Sequence, residues 1–245
     1  MLVICTNASA RTKRVFIAVL LTLFAAGAYA NAQMQNDSDL CSTAACQKIK
    51  SYLKAHYCGD SPAGNGPGDG CEIRFPKKPQ KGVEVLADYN CEWNAAKQDS
   101  VCKQAGQPSA SVRTILFNEM RRLGLPADAG GETRFDIRKS VVSGLLVAGA
   151  VYSHTVGDDL EICEVIVMID KDSHVSVLRK LPFQKTDIDV PKVTTWNLID
   201  LADVDGDGQI DIILEDDAYE DHWLEVVSLH NGSPQTVFSG LGYYL

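Results

Sequence analysis

Carboxylates stand at Asp203, Asp205 and Asp207 and again at Asp211, with Gly206 and Gly208 between them. Calcium is a hard cation that takes about six to eight oxygen ligands, several of them carboxylates converging on one point. In a tightly wound loop alternate side chains turn inward, so Asp203, Asp205 and Asp207 can share a focus. Gly206 and Gly208 permit the positive φ angles that such winding requires. Gln209 offers its backbone carbonyl, and Asp211 closes the site. Without a cation the four negative charges repel one another at short range.

The first six positions match a calcium-binding EF-hand loop, including glycine at the sixth. The twelfth position is Leu214, where a bidentate Glu belongs, and Glu215 comes one residue late. The run Ile210-Asp211-Ile212-Ile213-Leu214 is β-branched, so the loop enters a strand rather than a helix. The pattern Asp203-x-Asp205-x-Asp207-Gly208-x-x-Asp211 before an apolar strand resembles the calcium loop of FG-GAP repeats, found in integrin α-subunit propellers and related bacterial secreted proteins. The resemblance covers about Trp196 to Leu229. It implies Asp203, Asp205, Asp207 and Asp211 as side-chain ligands and Gln209 as a carbonyl ligand. A propeller needs at least about four blades, and the chain carries one clear loop. Asp170-Lys171-Asp172-Ser173-His174 reads either as a decayed second copy or as a polar hairpin turn. An extracellular module of this kind holds calcium with a dissociation constant on the order of 10⁻⁴ to 10⁻³ M, which makes the ion structural rather than a switch.

The elements that must position this loop are legible in outline. Arg11, Lys13 and Arg14 precede the apolar run Val15 to Ala26, and Ala28-Tyr29-Ala30 follows as a small-x-small cleavage pattern. Residues 1–30 therefore read as a secretory signal peptide, which places the mature protein outside the cell or in the periplasm. Val15 to Ala26 is short for a membrane span, which needs about 20 apolar residues, and no second span follows. The net charge of −9 becomes more negative once that basic leader is removed. An acidic surface argues against nucleic acid, whose phosphates demand basic groups, and against anionic membrane surfaces.

Of the eight cysteines, Cys5 leaves with the leader, six cluster between Cys41 and Cys102, and Cys163 stands apart. In an oxidising compartment the cluster reads as disulfides. The absence of a CxxC pair argues against a zinc module. A helix is expected from about Thr43 to Tyr57, capped by Ser42, with Ala45, Ile49, Tyr52, Leu53 and His56 on one face. Cys46 and Cys58 then lie about 18 Å apart along its axis, too far to bond. The expected pairs are Cys41–Cys46, Cys58–Cys71 across a Gly/Pro-rich loop, and Cys91–Cys102. Residues 31–108 thus read as a cysteine-rich helical region and linker, with connectors at Lys77 to Gly82 and Gln104 to Pro108. Cys163, inside Ile162 to Ile169, reads as a small buried hydrophobe.

Residues 109–245 read as a helix followed by antiparallel β structure. The helix starts at Ser109 or Ser111 and stops before Gly124, with Val112, Ile115, Leu116, Met120 and Leu123 as its apolar face. Strands are expected at Thr133–Arg138, Gly144–Ser153, Glu161–Ile169, Val175–Leu181, Trp196–Leu201, Gln209–Glu215, His222–Leu229 and Gln235–Phe238. Turns at Gly157-Asp158-Asp159 and Asn231-Gly232 suit hairpins. Too few helices separate these strands for βαβ units. The fold class is α+β: a small disulfide-rich helical region, then a mostly antiparallel domain carrying a strand-loop-strand calcium site.

Beyond the loop, Glu215, Asp216, Asp217, Glu220 and Asp221 read as a charged exposed turn, and no Lys or Arg occurs between Asp200 and Glu225. Trp223 and Tyr243-Tyr244 could dock carbohydrate or close a sheet edge. The chain lacks GxSxG, HExxH, a phosphate loop and a dinucleotide fingerprint. Its five histidines are scattered, His222 beside Asp221 being the nearest to a catalytic pairing. The leading reading is a secreted calcium-binding module that recognises a protein or glycan at the cell surface or within the envelope. Its alternatives are an exported hydrolase and a disulfide-stapled inhibitor or structural protein.

Overall fold

The structure, a computed structural model, describes residues 43–59, 71–73, 78–94, 99–219, 221–230 and 233–244. The chain divides into two units, Met1–Ser42 and Thr43–Leu245, and the described residues belong to the second. The leader, Cys41 and the Asn231-Gly232 turn lie outside them. No helix among the described residues is long and apolar enough to cross a membrane.

Among the described residues, two helices form where apolar residues recur every fourth position behind a hydroxyl cap. In α1 (Ala44–Tyr57) the buried positions are Ile49, Leu53 and Tyr57. Its cap is Thr43, one residue later than expected, whose side chain accepts from the Cys46 amide at 3.2 Å. In α2 (Ala110–Arg122) Val112, Leu116 and Met120 are buried, and Ser109 caps the first turn. Gly124 at φ 97° ends it, with the Leu125 amide bonding back to the Met120 carbonyl and Gly124 to Arg121. That paired return is the Schellman stop, and it needs a residue that tolerates the left-handed region.

Among the described residues the strands are β1 (Cys58–Gly59), β2 (Glu72–Ile73), β3 (Val83–Asn94), β4 (Asp99–Gly106), β5 (Glu132–Ser140), β6 (Leu146–Val156), β7 (Asp159–Ile169), β8 (Val175–Asp187), β9 (Thr195–Ala202), β10 (Asp211–Ala218), β11 (Asp221–His230) and β12 (Ser233–Tyr244). They make a two-stranded pair β1-β2, a six-stranded sheet β4-β3-β5-β6-β7-β8 and a four-stranded sheet β12-β11-β10-β9. Every pairing is antiparallel. The expected α+β class and antiparallel pairing hold, and Gly157-Asp158 forms the two-residue turn between β6 and β7.

Residues 31–108, read as a cysteine-rich helical region and linker, contain the expected helix and also supply two strands to the larger sheet. β3 pairs with β5 through Val83↔Ser140 to Ala87↔Ile137, and β4 pairs with β3. The segment read as a connector at Gln104 is sheet: its side-chain amide donates to the Phe135 carbonyl and its oxygen accepts from the Phe135 amide, both at 2.9 Å.

Side-chain alternation gives the six-stranded sheet two buried faces. Phe135, Ile137, Ala148, Ala150, Cys163, Val165 and Val167 pack against α2. Val147, Ile166 and Met168 point the other way, onto Leu198, Leu201, Ile212, Leu214 and Val227 of the four-stranded sheet. Ile213 and its register partner Val226 face away from that interface, on the side where α1 packs against β12. The order of layers is α2, large sheet, small sheet, α1. Two charged residues within the sandwich serve its edge. Glu164 takes the Trp196 amide of edge strand β9 at 3.1 Å, and Arg138 reaches the Leu198 carbonyl. Pairing outward backbone groups with side chains removes the exposed ladder of an edge strand. Arg138 is further held by the Ala87 carbonyl and Asp88.

The Cys58–Cys71 disulfide forms as expected, and the Cys71 amide donates to the Gly242 carbonyl of β12. Cys46 is also disulfide-bonded; its expected partner, Cys41, lies outside the described residues. The register sets Cys91 directly opposite Cys102. Cys163 is a free, fully buried thiol, as its apolar strand implied.

Candidate metal centre

The loop between β9 and β10 is built as an inward-folded acidic turn. Val204, 1% exposed, plugs its base, while Gly206 and Gly208 take φ of 71° and 87°. The side chains tie the turn together before any ion enters. Asp203 Oδ2 accepts from the Gly208 amide at 3.0 Å, and Asp205 Oδ1 accepts from the Asp207 amide at 3.0 Å. Asp211 Oδ2 accepts from the Val204 amide at 3.0 Å.

Asp203, Asp205 and Asp211 each bring one carboxylate oxygen to within 4.8 Å of the others, a spacing that suits a metal ion. Asp207 stands outside this group of acids. The Asp207 carboxylate instead receives the Gln209 amide at 2.7 Å and its side-chain nitrogen at 3.0 Å.

Electrostatics mark the cluster as short of positive charge. Burial pushes the Asp211 carboxyl up to about 6, and the nearby Asp205 and Asp207 add to that rise. Asp203 Oδ1 is buried and has no hydrogen-bond partner among the described residues. A buried polar atom left unpaired costs about 1–3 kcal/mol, and this one belongs to a residue of the converging group. The donors are all hard oxygens, which fits a hard cation such as Ca²⁺, Mg²⁺ or Mn²⁺ and not a thiolate- or imidazole-seeking metal.

Two side chains of α1, remote in sequence, brace the loop and the strand before it. Tyr57 of α1 donates to Asp200 Oδ2 at 3.1 Å in a buried contact. About two and a half turns earlier, the Lys48 ammonium donates to the Asp205 carbonyl. Sequence reading missed both partners, because neither Tyr57 nor Lys48 carries a motif and each lies more than a hundred residues from its contact.

The other acidic segment, Asp170 to His174, is a turn bound to itself. Asp170 Oδ1 accepts from the amides of Asp172 and His174 at 2.8 and 2.9 Å, and its other oxygen lies 3.1 Å from His174 Nδ1. Its acids and imidazole are also close enough to hold an ion, but they lie on the exposed hairpin between β7 and β8.

Two of the acids beyond the loop, Glu215 and Asp216, are not exposed. Glu215 and Asp216 lie within β10 at 5% and 6% exposure, because β10 runs three residues past the expected strand end. His222 meets two acids of this strand: its Nδ1 lies 3.3 Å from Asp217 and 3.5 Å from Glu215. Burial raises the carboxyls of Glu215 and Asp217. Glu220 lies outside the described residues. An open concavity of about 520 Å³ lies elsewhere, between Gly130–Glu132 and Ser153–Thr155, and contains none of these acids.

No protein-family model, curated protein or solved structure matches the chain.

Proposed function

We propose that this is a secreted calcium-binding protein in which the ion is structural, and that the β domain so stabilised recognises a protein or glycan at the cell surface or in the envelope. The observation that carries the reading is the convergence of carboxylate oxygens from Asp203, Asp205 and Asp211, together with an Asp203 Oδ1 that is buried without a partner among the described residues. Asp203, Asp205 and Asp211 would hold the ion directly. Asp207 keeps lone pairs beyond those that Gln209 occupies, and the Gln209 carbonyl would complete the oxygen set. The ion neutralises the clustered carboxylates and so fixes the β9–β10 connection. The Cys58–Cys71 bond suits an oxidising compartment.

The test is calcium titration by calorimetry, with melting in calcium and in chelator. Saturating ion at about a hundred times its dissociation constant adds about 2.7 kcal/mol. Partner capture with and without chelator tests the recognition role, which fails if every partner is retained after chelation.

A second reading, an exported hydrolase, draws on His222 seated between Glu215 and Asp217, since buried carboxyls beside an imidazole are a common acid–base arrangement. A panel of ester, peptide and glycoside substrates tests it. Turnover abolished by His222→Gln at unchanged melting temperature would favour the enzyme over the binding module.

A further inference from the structure

From Asp200 to Glu225 the chain contains no Lys or Arg, so the acidic loop has no cation of its own. One is delivered from 157 residues away. The Lys48 ammonium donates to the Asp205 carbonyl, and the side chain lies over the crest of the turn. A Cβ added to Gly206 would stand 2.6 Å from Lys48 Nζ and 3.4 Å from its Cε. Lys48 is not a stray surface arm, because the helix beneath it is fixed. Ile49, Leu53 and Tyr57 are buried, Tyr57 is bonded to Asp200, and the strand that follows is stapled by Cys58–Cys71. The negative field of Asp203 also reaches the neighbouring Tyr52 on the same helix.

We infer that Lys48 is the resident counter-ion of the ion-free loop and an electrostatic competitor of calcium, so that α1 sets the affinity of the site; this rests on the calcium reading above. An ammonium and a calcium ion both seek hard oxygens and repel each other. In the empty loop Lys48 supplies one positive charge and a donor to a loop carbonyl. When a divalent ion arrives, the ammonium must tolerate a like charge a few ångströms away or swing off the turn, and either weakens binding. With the ammonium swung to about 6–12 Å from the ion and water between them, one unit charge against two amounts to about a three- to tenfold change in affinity, and added salt reduces it.

The experiment uses the full secreted chain with Lys48→Met, which keeps the aliphatic stem and removes the charge, and Lys48→Arg, which keeps the charge. Calcium titration by calorimetry at low ionic strength should show K48M binding about three- to tenfold tighter than the wild type, with K48R close to the wild type. In chelator K48M should melt lower than the wild type, because the loop has lost its counter-ion. Reductive ¹³C-methylation gives a second readout on the unmutated protein: the dimethyl-Lys48 resonance should move as calcium is added. Equal calcium affinity and equal melting in chelator for K48M and wild type, with an unmoved Lys48 resonance, would overturn the role of Lys48 and leave the calcium site standing. A wild type that takes up no calcium would overturn both.

Discussion

Asp216→Asn should make the protein more stable at neutral pH. Asp216 is 6% exposed, and its Oδ1 has no hydrogen-bond partner among the described residues. Burial first, and the neighbouring Glu225 second, push its carboxyl up to about 7, against the pull of Arg179 and the indoles of Trp223 and Trp196. Glu225 is itself claimed by Arg179 and by the Thr236 hydroxyl, so the available positive charge is already spent on one of the two acids. In the unfolded chain the same carboxyl titrates at about 3.9. Below that value both states carry the proton and ionisation costs the fold nothing. Between about pH 4 and 7 the native state binds a proton that the unfolded state has released, so stability falls as pH rises. By pH 8 the loss reaches about 4 kcal/mol, at about 1.4 kcal/mol per unit.

Asparagine keeps the shape, never ionises, and turns an N–H₂ donor toward Glu225. The difference in unfolding free energy between D216N and wild type should therefore grow by up to about 4 kcal/mol between pH 4 and pH 8. Urea denaturation across that range, at one fixed excess of calcium, measures it. Other carboxyls raised by burial, among them Asp136 at about 6, cancel in the difference. Parallel stability curves for the two proteins would refute the reasoning.

Tyr57→Phe removes the hydroxyl that Asp200 accepts from in a buried contact and should cost about 1–3 kcal/mol in chemical denaturation; an unchanged midpoint would mean that water replaces the hydroxyl. Cys58→Ser with Cys71→Ser opens a cross-link across a sequence separation of 13 and should cost about 3 kcal/mol, read as a lower melting temperature at an unaltered far-ultraviolet spectrum. Gly208→Ala forces a side chain to φ 87° and should cost about 1 kcal/mol or more while weakening calcium binding; equal melting would show that the loop adapts.

Much of the β domain was legible because its strands alternate. Phe135, Ile137, Val165 and Val167 fall on one face, and Val147, Ile166 and Met168 on the other, so period-two patterning located the strands from β5 onward. Gly157-Asp158 announced its own hairpin. The Cys58–Cys71 bond followed from the segment it closes. β3 and β4 were hidden because Val83 to Asn94 mixes charges and amides into the run, and cysteine spacing dominated the reading. No pattern within a strand tells which sheet it joins, so the stacking of six strands on four was out of reach.

Three of the four loop acids, Asp203, Asp205 and Asp211, come together as their spacing suggested, but the division of labour among the four was not foreseeable. Local hydrogen bonding decides that Asp207 turns to Gln209 while Asp203, Asp205 and Asp211 converge. Glu164 was a visible anomaly, a lone acid in an apolar strand, and its use is a backbone amide on the opposite sheet. Lys48 gave no signal at all, since contacts across 157 residues leave no trace in spacing.

The most direct measurement is isothermal calorimetry of calcium into the purified, disulfide-intact chain beside Asp203→Asn. Wild-type protein should bind one ion at the β9–β10 loop with a dissociation constant on the order of 10⁻⁴ to 10⁻³ M, and Asp203→Asn should abolish the heat. No heat from the wild type, or the same heat from both proteins, would contradict the assignment.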